Sequence, residues 1–381
     1  MEPPGPHHRA LDKGAGEALK AIPRLAILMC TLAACSLRPA APDEGTIGPE
    51  IRFQWHYAAG DYIRATPLVQ GGFVYFGSDD NHVRSLHATS GDLEWDFETA
   101  DNVTSTPVAY ENLLLVTSWD GILYALDAAS GQEQWSFGTA GPISASPIVD
   151  TSSIYVGSED GNLYAINAED GNLQWHFPTA GPIESTPAAS EGTIYVGSTD
   201  NALYAVRASD GALVWRFSTA GDVLTTPSVS DGSVVFGSCD RRLYSLSAET
   251  GERLWSFEAG ATITSSPSLF DGTAYFGSDD GYVYAVRVSD GRRLWRFQTD
   301  AIVQSQPAVW EDLIFVGTDS GTFLGLDRAT GHKVWEYQTG GAITAGPVVS
   351  EGRLFVASVD RTMSAFAIGP NPASDTGGGT P

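Results

Sequence analysis

Lysine is nearly missing from this chain: three lysines and eighteen arginines stand against 46 acidic residues, a formal net charge of −25 over 381 residues. With no basic run, such a chain is repelled by polyanions, which excludes nucleic acid and an anionic bilayer surface as its main ligand. Cysteine is almost as scarce, and Cys30, Cys35 and Cys239 are too few for a disulfide framework. Cys239 falls in Gly237-Ser238-Cys239-Asp240, which reads as a hairpin turn with no histidine or second cysteine nearby, so an incidental thiol is expected. The seven histidines are scattered, and apart from His7-His8 none pair at metal-ligand spacing, so no metal site is expected. Helical periodicity is absent too, and the apolar run Leu25–Ala34 is too short for a helix crossing a ~30 Å hydrocarbon core.

That run follows Arg24 and has the length of a signal-peptide h-region. It leads into Leu32-Ala33-Ala34-Cys35-Ser36, which resembles the lipobox of bacterial lipoproteins. The resemblance implies that residues 1–34 are a signal peptide, that Cys35 is lipidated as the mature N-terminus, and that residues 35–49 form a flexible tether. Several acyl chains on one residue would anchor the protein stably. Ser36 in place of Asp implies sorting to the outer membrane, facing the periplasm, or in a single-membrane cell to the outer face of the plasma membrane. Residues 370–381 are expected to be a disordered tail.

What the chain does have is glycine, 42 residues of it, and a strict repeat. Tryptophan recurs every 40 residues at Trp55, Trp95, Trp135, Trp175, Trp215, Trp255, Trp295 and Trp335, and proline in step from Pro67 to Pro347. Glycine precedes seven of these tryptophans by four residues, Ile51 holding the eighth place. The unit after Gly141 reads as four strands (PISASPIV, SIYVGS, NLYAINA, LQWHF) joined by Asp-Gly turns of the kind that tolerate positive φ. Four antiparallel strands per 40 residues make a propeller blade. Residues 51–57 supply an outermost strand with no preceding blade, and residues 342–368 supply three strands with no following tryptophan. Joining them predicts an all-β, eight-bladed propeller over residues 50–369, closed across its termini and monomeric.

The stretches Ala125-Leu126-Asp127 to Trp135 and Leu326-Asp327 to Trp335, each with Ser/Thr-Gly before the tryptophan, resemble the A-x-D-x-x-T-G-x-x-x-W motif of pyrroloquinoline-quinone (PQQ)-like repeat proteins. The resemblance covers residues 51–368 and implies that all eight tryptophans dock blade against blade. The superfamily includes quinone- and Ca²⁺-dependent dehydrogenases, and also BamB-type lipoproteins of the outer-membrane β-barrel assembly machinery. Here every inter-tryptophan segment is 40 residues, leaving no room for the dehydrogenases' insertions, and no adjacent cysteine pair occurs. The turns at Asp79-Asp80-Asn81 and Asp279-Asp280-Gly281 lack the carboxylate ladder of a Ca²⁺ loop. The BamB-type docking stretch L-x-L-R-G has no counterpart, the equivalent place reading Ala180-Gly181-Pro182-Ile183-Glu184, and of the acidic docking positions only Asp222 coincides.

Positions where one blade departs from the other seven are where function has room. Tyr62, Arg64, Asn102, Trp119, Glu184, Asp222 and Gln304 are such positions, in loops expected on one face around the channel mouth. Trp119 and Trp310 lie outside the tryptophan register, in predicted turns, and an aromatic ringed by polar groups suits a protein-binding patch. The expected function is a non-catalytic, membrane-anchored protein-binding scaffold of the cell envelope, without cofactor, its partner an envelope protein such as a β-barrel assembly subunit. The alternatives are a PQQ-dependent or other redox enzyme and a small-ligand or sugar binder at the channel mouth.

Overall fold

The computed structural model describes residues 49–369, so the signal peptide, Cys35, all of the tether but Pro49, and the tail lie outside the described residues. After β1 (Ile51–Ala58), blade 1 consists of β2 (Leu68–Gln70), β3 (Phe73–Gly77), β4 (His82–His87) and β5 (Leu93–Glu98), each strand pairing antiparallel with the next. The pattern repeats through blade 7, which ends at β29 (Lys333–Gln338). Blade 8 joins β30 (Val348–Ser350), β31 (Arg353–Ala357) and β32 (Thr362–Ile368) to β1, so the two ends of the fold share one sheet. The fold is the expected all-β, eight-bladed propeller, and no helix occurs among the described residues.

The core is a ring of eight seams. Each apolar cluster joins two neighbouring blades, as where Tyr75, Val83 and Trp95 of blade 1 meet Leu114, Val116 and Tyr124 of blade 2. Six of the eight repeated indoles donate to a carbonyl 33 residues on, in the next blade, for example Trp95 Nε1 to Ala128 O at 3.1 Å and Trp215 Nε1 to Ala248 O at 2.9 Å. The glycine of the motif underlies seven of the eight indoles: at Gly131, φ is +71° and a Cβ would stand 2.6 Å from the Trp95 ring. Gly131→Ala therefore meets backbone strain and a clash together, and a loss of about 2 kcal/mol or more is expected by denaturant unfolding. Gly72→Ala, at φ +85° with nothing within 4 Å, incurs the strain alone and should lose less.

The seam between blades 7 and 8 differs. The turn that would carry glycine there is replaced by the chain termini, and Trp335 packs instead against Phe323, Tyr337 and Phe366. The small residues of the third strand also have a reason, since Ser85, Ala125 and Ala165 pair directly with Trp95, Trp135 and Trp175.

Two expectations need correction. The first strand of the unit is only Ile148–Asp150, not residues 142–149. Ahead of it, Ser146 bonds to the neighbouring blades, its N–H to Thr186 Oγ1 and its Oγ from the Thr106 N–H, while Pro147 has no N–H to give a ladder. Trp310 is not in a turn: it ends the strand Ala308–Trp310 and packs partly buried against the cluster of Leu313 and Phe315.

Candidate functional site

Within each blade, the loop before the innermost strand is stitched to the turn between the second and third strands. Asp79 N–H donates to Tyr62 O at 2.8 Å, Trp119 N–H to Asn102 O at 2.9 Å and Cys239 N–H to Asp222 O at 2.9 Å. Both loop types thus share one face. The seven candidate residues lie there but form no single cluster: Tyr62, Arg64, Asn102 and Trp119 are on blades 1 and 2, Glu184 and Asp222 on blades 4 and 5, and Gln304 on blade 7.

Blades 1 and 2 present the aromatic sector. Trp119 is 40% and Tyr62 39% exposed, among the large hydrophobic residues left in solvent. The Trp119 indole is aimed by its bond to Thr104 Oγ1 at 2.9 Å, and the Arg64 guanidinium lies 5.3 Å from the Tyr62 ring centroid. Arg64 Nε is fixed by Asp79 Oδ2 at 2.9 Å. Burial, opposed by Arg64 and reinforced by Asp61 and Asp80, lifts the Asp79 carboxyl above its ordinary range.

Blades 3 to 7 present an acidic sector. Desolvation first, then Glu159 and Asp222, raise the pKa of Glu184 although the residue keeps solvent access, and burial with Asp279 raises that of Asp319. Sequence reading missed Glu159, Asp279 and Asp319, although they occupy the repeat place of Trp119 at 40-residue steps. A carboxyl with a raised folded pKa favours the fold below its unfolded pKa and loses that contribution as pH rises through the folded value. Glu184→Gln should therefore raise the melting temperature at about pH 7 and lose the advantage below about pH 4, read by calorimetry at both. Burial, then Asp222 and Asp279, push the Cys239 thiol up to about 11, which keeps it protonated and unreactive.

The Asp-rich turns have structural employment. Asp80 is held at about 2 because bonds from Arg84, Ser78 and the Gly60 N–H outweigh its burial. Asp280 accepts from the Gly260 N–H of the preceding blade and from Tyr284 OH, each at 2.6 Å. No group of three His, Cys, Asp or Glu side chains is placed to hold a metal ion among the described residues.

A family model described as the β-propeller of the beta-alanine-activating enzyme matches residues 108–312, more than half of the chain. The chain belongs to this β-propeller family. A second model, described as outer membrane protein assembly factor BamB, matches residues 279–369, and the chain is a PQQ-like repeat propeller resembling BamB. Among solved structures, BamB from Moraxella catarrhalis superposes with a TM-score of 0.73 at 20% identity, over 84% of this chain and 100% of that one. The computationally designed Ika8 protein gives 0.76 at 17% identity over 83% and 100%. The quinohemoprotein alcohol dehydrogenase of Comamonas testosteroni gives 0.73 at 15% identity over 83% and 76%. Likenesses this distant establish the fold alone. No curated protein matches the chain in sequence.

The dehydrogenase likeness raises the quinone as a cofactor. PQQ is a tricarboxylate and works with a metal ion, so a site for it here would need cations and metal ligands converging on the channel. Here Arg64 is bound by Asp79, Arg361 and Arg241 on the same face are paired with Asp61 and Glu258, Glu184 and Asp222 at the mouth are acidic, and the residues lining the channel cavity at blades 6 to 8 carry no charge. The residues do not fit the group.

Proposed function

We propose that this propeller is a non-catalytic, lipid-anchored protein-binding scaffold of the cell envelope, in the manner of the BamB-like proteins it resembles. In this reading residues 1–34 are removed, Cys35 carries the lipid, residues 35–49 tether residues 50–369 to the outer membrane on its periplasmic side, and residues 370–381 are a tail. The partner is an envelope protein, a β-barrel assembly subunit being the one the BamB likeness favours. The eight repeated tryptophans are blade-docking residues, and Tyr62, Arg64, Asn102, Trp119, Glu184, Asp222 and Gln304 belong to the partner-binding face.

The observation that carries this reading is the aromatic sector: an oriented, exposed Trp119 on blade 2 and, on blade 1, Tyr62 and Arg64, with the Asp79 carboxylate committed to Arg64. Such a constellation suits the burial of area against a partner. A redox reading draws on the dehydrogenase neighbours but finds, among the described residues, neither unpaired cations at the channel nor a metal-ligand set. Two experiments test the proposal. Cys35→Ala should move the protein from the membrane to the soluble fraction, and unchanged membrane association would refute the anchor. Affinity capture of the lipidated protein from envelope extracts, followed by mass spectrometry, should return an outer-membrane protein, and recovery of no envelope protein would refute the scaffold.

A further inference from the structure

One residue before the repeated proline, six of the eight blades carry Ser or Thr, from Thr66 to Ser266, while blades 7 and 8 carry Gln306 and Gly346. Four of these hydroxyls, on Thr66, Ser146, Thr186 and Ser266, form an interrupted belt inside the channel, each accepting the backbone N–H of the preceding blade's copy. Thr106 N–H donates to Ser146 Oγ at 2.8 Å, Thr226 N–H to Ser266 Oγ at 2.9 Å, and Gly346 N–H to Thr66 Oγ1 at 2.9 Å. Between blades 7 and 8 this bond is impossible, because Gly346 has no side chain to accept the Gln306 N–H.

At the break lies a cavity of about 400 Å³. Its wall combines hydrogen-bonding groups of Thr66, Ser268 and Gln306 with the apolar surfaces of Phe270, Val309 and Pro347, and none of its lining residues is ionisable. Gln306 spends one amide N–H on Ser268 Oγ at 3.3 Å, which leaves its carbonyl and second N–H for another partner. The lining itself offers an ion no counter-charge, the neighbouring Arg328 guanidinium being stacked on the Phe270 ring at 4.6 Å. A neutral ring with hydroxyls on its edge and C–H groups on its faces meets both kinds of surface, and the volume falls at the small end of the ~300–1,000 Å³ of ligand pockets.

We propose that the gap in the belt binds an uncharged, hydroxylated ring of monosaccharide size. Gln306 and Thr66 hold the hydroxyls, and Phe270 and Val309 pack its faces. The site is separate from the Trp119 sector and stands or falls independently of the scaffold function.

The repeat itself supplies the test. Gly346 has no positive φ, and a Cβ there would stand 3.3 Å from Thr66 Oγ1 and 3.4 Å from Gln306 O, tight but resembling the arrangement in the other blades. Gly346→Ser should supply the missing hydroxyl, fill the gap and keep the melting temperature at or above that of the parent. Saturation-transfer NMR of the intact propeller with glucose, galactose and N-acetylglucosamine should show transfer to at least one of the three and none to glucose 6-phosphate. Affinity for that sugar should fall at least tenfold in Gly346→Ser and in Gln306→Ala and stay unchanged in Trp119→Ala. Should Gly346→Ser misfold, Gln306→Ala carries the test alone. Transfer to none of the three sugars, equal binding of the phosphate, or retained binding when the gap is filled would overturn the proposal.

Discussion

Deleting residues 51–57 lowers the melting temperature by more than about 10 °C, while deleting residues 370–381 changes it by a few degrees at most. The difference follows from what β1 does. It pairs with β32 from Ile51↔Ile368 to Ala58↔Thr362, and Trp55, 8% exposed, reaches across the next seam to donate to Ala88 O. Gly91 of blade 1 packs under that indole. Removing β1 therefore strips the outer strand of blade 8, empties the seam with blade 1 and bares the edge of β32. Burial of one such tryptophan is worth about 3–5 kcal/mol by itself, and the lost ladder adds to it. Thermal unfolding of both deletion variants, followed by circular dichroism and by size-exclusion chromatography for aggregation, reads the effect. Equal shifts for the two deletions would mean that β1 does not close the ring.

The fold was legible because one physical demand is repeated eight times. Each blade needs a large aromatic to fill a seam and a glycine to sit beneath the aromatic of its neighbour, and both leave a 40-residue signature. The site was legible only in part. Departures from the repeat located Trp119 and Arg64, but the residues that set their chemistry come from other loops or blades: Asp79 holds Arg64 across 15 positions, and Glu159 and Asp222 act on Glu184 from the blades on either side. Reading the turn register as a column would have found Glu159, Asp279 and Asp319. The partial burial of Trp310 had no such signal, because only packing distinguishes the end of a strand from the start of its turn.

Trp119→Ala combined with Arg64→Gln should weaken capture of the envelope partner at least 100-fold while shifting the melting temperature by no more than a few degrees. Exposed tryptophan and arginine are the residue types whose truncation typically costs about 2 kcal/mol or more at an interface centre, and two such losses exceed two decades of affinity. Trp119 is 40% exposed and its indole bonds only to Thr104, so little of the fold depends on its ring. Glutamine is chosen at position 64 because Asp79, its side chain only 9% exposed, keeps a hydrogen-bond donor while the charge and the contact with Tyr62 are lost. Trp310 is unsuitable as a control, since its partial burial would confound binding with stability. Leu254, 57% exposed on the outer strand of blade 5, serves instead. Quantitative capture with the wild type, the double variant and Leu254→Ala as bait decides the matter: full capture by the double variant, or its loss in Leu254→Ala alone, would move the working surface away from blades 1 and 2.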